Sequence, residues 1–348
     1  MEVMDDLIAK VHCFLPDAKV IAIEPISDGL IHATYRVITK LELHQHNFIL
    51  QKINTVVFQN TSAIHSNMNV VSNYLEAQNY PHPVIKLCKT IDGNHELNCD
   101  ETTWRLMNEI EHSYAIGVVQ NSDQAHAVGA FFGTFHTFLS QIQTNQIQPV
   151  LPHFLDVQSR VDAFQIVLSK ADAERKRNAA EQVNWMLEHQ ELPLKWIYLH
   201  AQGKLPIRLI HADPKISNVL FDATTNQPKA IIDWDTLMLG SILYDYGDMI
   251  RSYTNTKAED DPDPEGVFNT SVYHALTAGF LSETHVFLSD VEIENMSYAP
   301  QVIVYIQAMR FLTDYLNGDT YYHCSYPLQN LNRAKNQINL LQNILKLK

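Results

Sequence analysis

Three polar residues at fixed spacing carry the clearest chemistry in this sequence. Asp213 and Asn218 stand in His211-x-Asp213-x-x-x-x-Asn218-x-Leu220-Phe221, and Asp233 ends an apolar run in Ile231-Ile232-Asp233-Trp234-Asp235. The apolar residues flanking Asn218 and Asp233 read as short adjacent strands, which brings a carboxamide and a carboxylate to strand ends. Such oxygens are the hard donors that Mg²⁺ accepts alongside phosphate oxygens and water. Asp213 is then left to orient a hydroxyl nucleophile and take its proton. That is the division of labour in phosphoryl transfer, where the protein positions the reactants and neutralises charge on the transferring group. Read singly, Asp213 also suits a turn before Pro214 and Asn218 the start of a strand. Asp235 serves equally as a cap for the following turn or as support for the metal site.

Competing chemistries lack their residues. The sequence has no G-x-G-x-x-G, no G-x-x-x-x-G-K-[ST], no G-x-S-x-G and, among seventeen histidines, no H-E-x-x-H. Cys13, Cys88, Cys99 and Cys324 are scattered without a C-x-x-C pair, which predicts buried thiols rather than a zinc site or disulfide framework.

The elements that must position Asp213, Asn218 and Asp233 fall into two compositional regimes. Residues 20–23, 34–38, 47–53 and 84–87 are short β-branched or apolar runs that predict strands, with a helix between residues 66 and 78. From Ser122 the pattern turns helical, and Ala127, Phe131, Phe135 and Phe138 make one apolar face. Further helices are predicted over residues 154–170, 178–189, 297–316 and 332–347. A β island lies between them: residues 207–210, 219–221 and 230–232, with a turn at 225–228. The expected fold is α+β and two-lobed, with a small β-rich N-terminal lobe (1–111) and a larger helical C-terminal lobe (112–348). Clefts between lobes commonly bind ligands.

The charge balance narrows the partners. With 25 Lys+Arg against 39 Asp+Glu over 348 residues, the net charge of −14 argues against nucleic acid. No apolar run is long enough to span a bilayer, and the acidic start lacks a signal peptide's features. These features predict a soluble, cytoplasmic protein with no membrane partner, a monomer or small homo-oligomer. Residues 257–266, rich in acids and holding Pro262 and Pro264, read as a solvated loop, with a cation-capturing loop as the alternative.

The two motifs, together with Gly240 to Asp245, resemble the catalytic loop and metal-binding segment of the aminoglycoside phosphotransferase superfamily, whose fold is protein-kinase-like. Within it the chain is most similar to the N-acetylhexosamine 1-kinases. The similar segments run nearly end to end, from Ser27-Asp28-Gly29 through Gln51, Trp104-Arg105 and Gly247-Asp248 to Arg310, Asp314 and Tyr321. The resemblance implies ATP and Mg²⁺ as cofactors, with Asp213 as catalytic base and Asn218 and Asp233 as metal ligands. It further implies Gln51, Lys52, Asn108 and Ile110 at the nucleotide, and Arg310 and Tyr321 at an N-acetylhexosamine phosphorylated on its anomeric hydroxyl. Without it, Arg310 would read as the partner of Asp314 at i+4, and Tyr321 as a core tyrosine. The sugar kinases have a histidine after Asp-Gly, where this chain has Leu30. His32, two residues on, keeps strand-face parity and is the candidate replacement. Gln51 stands where kinase-like folds usually place an ATP-anchoring lysine, and Lys52 beside it should point to the opposite face unless a bulge intervenes.

Overall fold

A computed structural model describes residues 2–26, 31–41, 44–99 and 101–347. Its first elements are α1 (Glu2–Phe14), β1 (Lys19–Ile26), β2 (Ala33–Leu41), β3 (His44–Ile53), α2 (Thr61–Ala77), β4 (Leu97–Cys99), β5 (Thr102–Asn108) and β6 (Ser113–Ala115). Next come α3 (Ser122–Leu139), α4 (Val157–Lys170), α5 (Ala173–Asn178), α6 (Ala180–Glu188) and α7 (Glu191–Ala201). The β island follows as β7 (Arg208–Ile210), β8 (Val219–Asp222), β9 (Pro228–Ile231) and β10 (Met238–Gly240). The chain closes with α8 (Ile242–Thr254), α9 (Thr270–Thr284), α10 (Asp290–Glu294), α11 (Ala299–Leu316) and α12 (Gln329–Ile344).

These elements form two compact units. The first holds Met1–Ala115, Gln141–Pro152 and Asn218–Leu239, and the second holds Ile116–Ser140, His153–Ser217 and Gly240–Lys348. A single cut after residue 111 would place Asn218 and Asp233 with the helices, whereas here they belong to the β-rich unit.

In the first unit, strands pair antiparallel in the order β1-β2-β3-β5-β4, and a second sheet runs β6-β8-β9. Alternation decides which face packs. Val37, Leu50, Trp104 and Leu106 turn inward onto Leu7, Val11 and Phe14 of α1, while Lys40 and Lys52 are exposed. Residues 84–87 do not form the expected strand. Only Leu87 bridges to Met107, because the Asn108 side chain takes the neighbouring bonds, accepting from Lys86 N and donating to Val84 O. Helix α2 starts earlier than predicted, at Thr61, where the Asn60 side chain caps it by accepting from Ala63 N.

In the second unit, α3 crosses α9 at very close approach. A Cβ on Gly129 would lie 2.4 Å from the Leu276 carbonyl oxygen, and one on Gly279 2.1 Å from that of His126, so only glycine fits at either point. Helix α11 is buried along most of its length and packs on α4, α7, α8 and α12. The acidic segment 257–266 is largely exposed, as expected, but anchored: Lys257 pairs with Asp263 at 2.9 Å, and Asn336 donates to the carbonyls of Ala258 and Asp261. The four cysteines are free but half-buried rather than fully buried. Among the described residues no helix is long and apolar enough to cross a membrane.

Candidate active site

The loop after β7 carries Asp213 and is fixed from α8. Asp245 accepts from the backbone N–H of His211 at 2.7 Å and of Ala212 at 2.8 Å, and Tyr253 Oη donates to the Pro214 carbonyl at 2.8 Å. Ala212 adopts φ +65°, a left-handed conformation that costs a non-glycine residue on the order of 1 kcal/mol or more. The two Asp245 bonds, from the amide of that strained residue and from the one before it, hold it in place. Asp213 is half-buried, its amide donates to His211 Nδ1 at 3.3 Å, and Lys215 Nζ donates to its Oδ2 at 2.7 Å. Burial alone would raise the Asp213 pKa, but the charges of Lys215, His211 and Arg251 outweigh it and leave the value below the usual carboxylate range. Asp213 is therefore ionised at neutral pH, the state a proton acceptor needs. Asp245, quoted above only as the end of the second motif, is the residue that aims this loop.

Asn218 and Asp233 are joined within the first unit. Asn218 ends a short 3₁₀ turn (Ile216–Asn218) instead of opening β8, and its carbonyl accepts from Ile232 N at 2.9 Å, next to the Val219↔Ile231 register pair. Asp233 follows β9 with φ +62°, which turns the chain sharply at the carboxylate. No group of three or more His, Cys, Asp or Glu side chains close enough to cage a metal occurs among the described residues. One carboxamide and one carboxylate on adjoining strand ends nonetheless fit an ion such as Mg²⁺, which takes few protein ligands and completes its shell from phosphate and water.

Of the expected nucleotide residues, Gln51 and Asn108 are engaged with protein. Gln51 donates to Thr34 Oγ1 at 3.0 Å, and its Oε1 accepts from Arg105 Nε and Nη2 at 2.9 and 2.7 Å. Lys52 is exposed, and the β3–β5 register is unbroken there, so no bulge brings it to the face of Gln51. Asn108 is held by the 84–86 segment as described, and Ile110 is buried.

Asp235, read from the sequence as a turn cap or a support for the metal site, pairs instead with Arg105, which the sequence reading quoted only within Trp104-Arg105. Both are buried and form a two-pronged ion pair, Nη1 to Oδ1 at 2.6 Å and Nη2 to Oδ2 at 3.0 Å. His32 completes the group: its Nδ1 accepts from Asn54 N at 3.1 Å, so its Nε2 donates to Asp235 Oδ2 at 2.7 Å. The imidazole expected at a sugar is thus occupied at both nitrogens by protein. Burial would raise the Asp235 pKa, but the Arg105 and His32 contacts outweigh it and hold the carboxyl well below its ordinary value. Leu30, with Ser27, Asp28 and Gly29, lies outside the described residues.

Arg310 is not paired with Asp314, contrary to the local reading of that i+4 spacing. Asp314 instead accepts from the backbone N–H of Thr320, Tyr321 and Tyr322 and from Asn330 Nδ2, all at 2.8 to 3.0 Å, folding the 318–322 turn back onto α11. Gly318 permits that turn at φ +92°. Tyr321 is 72% exposed, not a core residue. Arg310 donates to Gln307 Oε1 at 3.0 Å, and its guanidinium lies 5.7 Å from the ring centroids of both Phe154 and Tyr322.

Comparison with known proteins agrees with this architecture. Solved structures with the same fold include a spectinomycin phosphotransferase in complex with ADP and spectinomycin (TM-score 0.60, 14% identity, covering 98% of this chain and 96% of that one). A microcompartment-associated aminopropanol kinase matches with TM-score 0.57 at 14% identity, over 96% of this chain and 94% of its own. Choline kinase from Cryptosporidium parvum matches with TM-score 0.57 at 13% identity, over 95% and 90%. The α+β arrangement, a β-sheet unit and a helical unit, is thus the protein-kinase-like fold of these enzymes. The sequence model of the phosphotransferase enzyme family matches residues 22–270, through β1–β10 and both motifs, and the chain belongs to that phosphotransferase family.

Proposed function

We propose that the protein is an ATP- and Mg²⁺-dependent kinase that phosphorylates the anomeric hydroxyl of an N-acetylhexosamine. In this reading Asp213 takes the proton of that hydroxyl as its oxygen bonds the γ-phosphorus. The bond from phosphorus to the bridging oxygen of ADP breaks, and ADP leaves with both electrons of that bond. Asn218 and Asp233 would hold Mg²⁺, which supplies neutralisation of charge on the phosphoryl oxygens when bound. The anomeric hydroxyl needs placement more than a strong base, which suits a carboxylate of lowered pKa.

The observation that carries the sugar reading is the state of Arg310 and Tyr321. Asp314 is committed to the 320–322 backbone, so Arg310 keeps donors for hydroxyl groups, and Tyr321 offers an exposed ring and hydroxyl. A second reading, an amino alcohol or aminoglycoside acceptor, is what the similar solved structures suggest by their own substrates. Arg310, which pairs with no carboxylate among the described residues, speaks against a cationic acceptor at the proposed sugar site, because its charge would repel the amine. ATP consumption with N-acetylglucosamine, N-acetylgalactosamine, choline, aminopropanol and spectinomycin separates the readings. Turnover with a hexosamine alone supports the sugar kinase. Turnover confined to the amines rejects it and leaves Asp213, Asn218 and Asp233 in the same roles.

A further inference from the structure

Two guanidinium groups of the second unit stand together without a counter-charge among the described residues. Arg160 on α4 and Arg310 on α11 meet at Phe154: Arg160 Nη2 reaches its carbonyl oxygen at 3.5 Å, and Arg310 lies over its ring. Each guanidinium carries several N–H donors. Arg160 makes only that one long bond, and its Nε is buried with no acceptor among the described residues. Among the described residues Arg310 makes only the bond to the neutral Gln307. Neither pairs with a carboxylate among the described residues. The acids nearby are committed elsewhere: Asp248 to Arg251 at 2.6 Å, and Asp314 to backbone amides. Burial and the Arg310 charge both hold the Arg160 pKa below its ordinary value, as expected where two like charges share a half-buried place. Helix α8, whose Asp245 fixes the Asp213 loop, packs on α11, which carries Arg310, and Arg251 of α8 acts electrostatically on both Asp213 and Arg310.

An arginine pair that leaves most of its donors unused and lacks acids is unfavourable until an anion completes it. We infer that Arg160 and Arg310 form an anion subsite of the acceptor pocket, and that the preferred acceptor is an acidic sugar with a carboxylate or phosphate away from the reacting hydroxyl. The inference rests on the sugar-kinase reading and sharpens its substrate class. A planar guanidinium fork matches either anion, and the pair repels the amines that related enzymes accept.

The test measures kcat/KM for N-acetylglucosamine, N-acetylglucosamine 6-phosphate, N-acetylglucosaminuronate, glycerate and choline, in the parent and in Arg160→Met and Arg160→Lys. The expected result is an acidic sugar preferred over N-acetylglucosamine by at least about tenfold, with the phosphate and uronate arms telling which anion is used. Arg160→Met should collapse that ratio and Arg160→Lys should restore part of it, while ADP-induced thermal stabilisation shows both variants folded. Preference for the neutral sugar, or equal losses on neutral and acidic sugars in Arg160→Met, overturns the anion subsite and leaves the sugar kinase standing. Turnover of glycerate but no sugar keeps the subsite and rejects the sugar. Turnover of choline alone overturns both.

Discussion

Arg105 of the first unit and the Arg160–Arg310 pair of the second are held in opposite ways, the pair differing also from Arg251 of its own unit, which is closed on Asp248 at 2.6 Å. In the first, Arg105 is closed off: both prongs meet Asp235, Gln51 accepts from it twice, and His32 takes the remaining side of the carboxylate. In the second, Arg160 and Arg310 share one phenylalanine and two weak or neutral acceptors. A closed group contributes position and rigidity, since breaking it strands a charge away from water. An open group has donors to give to a ligand. The contrast separates an arginine that is satisfied within the protein from a pair proposed to meet the substrate.

The largest expected effect follows from opening the closed group. Arg105→Met leaves Asp235 buried beside His32 alone and should cost about 3–5 kcal/mol of stability by urea unfolding. A loss below about 1 kcal/mol would mean that water already reaches the pair. Asp213→Asn should lower turnover at least about a hundredfold while keeping ADP-induced thermal stabilisation. Near-normal turnover would remove Asp213 from the mechanism. Asp233→Ala should raise the magnesium concentration needed for half-maximal activity, and an unchanged titration would show that Asp233 is not a ligand.

On the open side the effects are smaller. Arg310→Ala and Tyr321→Phe should each raise the acceptor KM or lower kcat/KM by roughly 1 kcal/mol, about fivefold, with the ATP KM spared. Equal changes in both KM values would place these residues outside the acceptor pocket. A separate expectation concerns Glu96, whose pKa is lowered to about 2 chiefly by its 2.9 Å bond to His65, against its burial. The folded value lies below the unfolded one of about 4.3, so this contribution is complete above that pH and fades as pH falls toward 2. Glu96→Gln should therefore flatten the loss of stability between about pH 5 and pH 3, measured by urea midpoints.

Much of this was legible in the sequence, for physical reasons. Strands β1 to β3 show period-two alternation because one face packs on α1, and the phenylalanines of α3 recur at helical spacing because one face is buried. Helix α8 was not read as one. It is buried on nearly every side and mixes Tyr244, Asp245, Tyr246, Gly247 and Asp248, so no apolar stripe marks it. Arg105 did leave a signal, a lone charge in the apolar run Trp104 to Met107, which demands a buried partner. Arg160 left none, since an arginine on a helix is ordinary until its surroundings prove to lack acids. Arg310 and Asp314 misled for the opposite reason: i+4 spacing permits a pair but does not compete with three backbone donors aimed at one carboxylate.

The central claim is that a sugar's anomeric oxygen takes the γ-phosphoryl group of ATP while Asp213 accepts its proton. It is tested most directly by phosphorus NMR of the product formed from ATP and the N-acetylhexosamine or acidic N-acetylhexosamine that the acceptor panel selects. The account predicts one sugar 1-phosphate per ADP, its phosphorus signal split by the anomeric proton, with formation slowed at least about a hundredfold in Asp213→Asn. Phosphate on another hydroxyl of the sugar, or an unslowed variant, would contradict it.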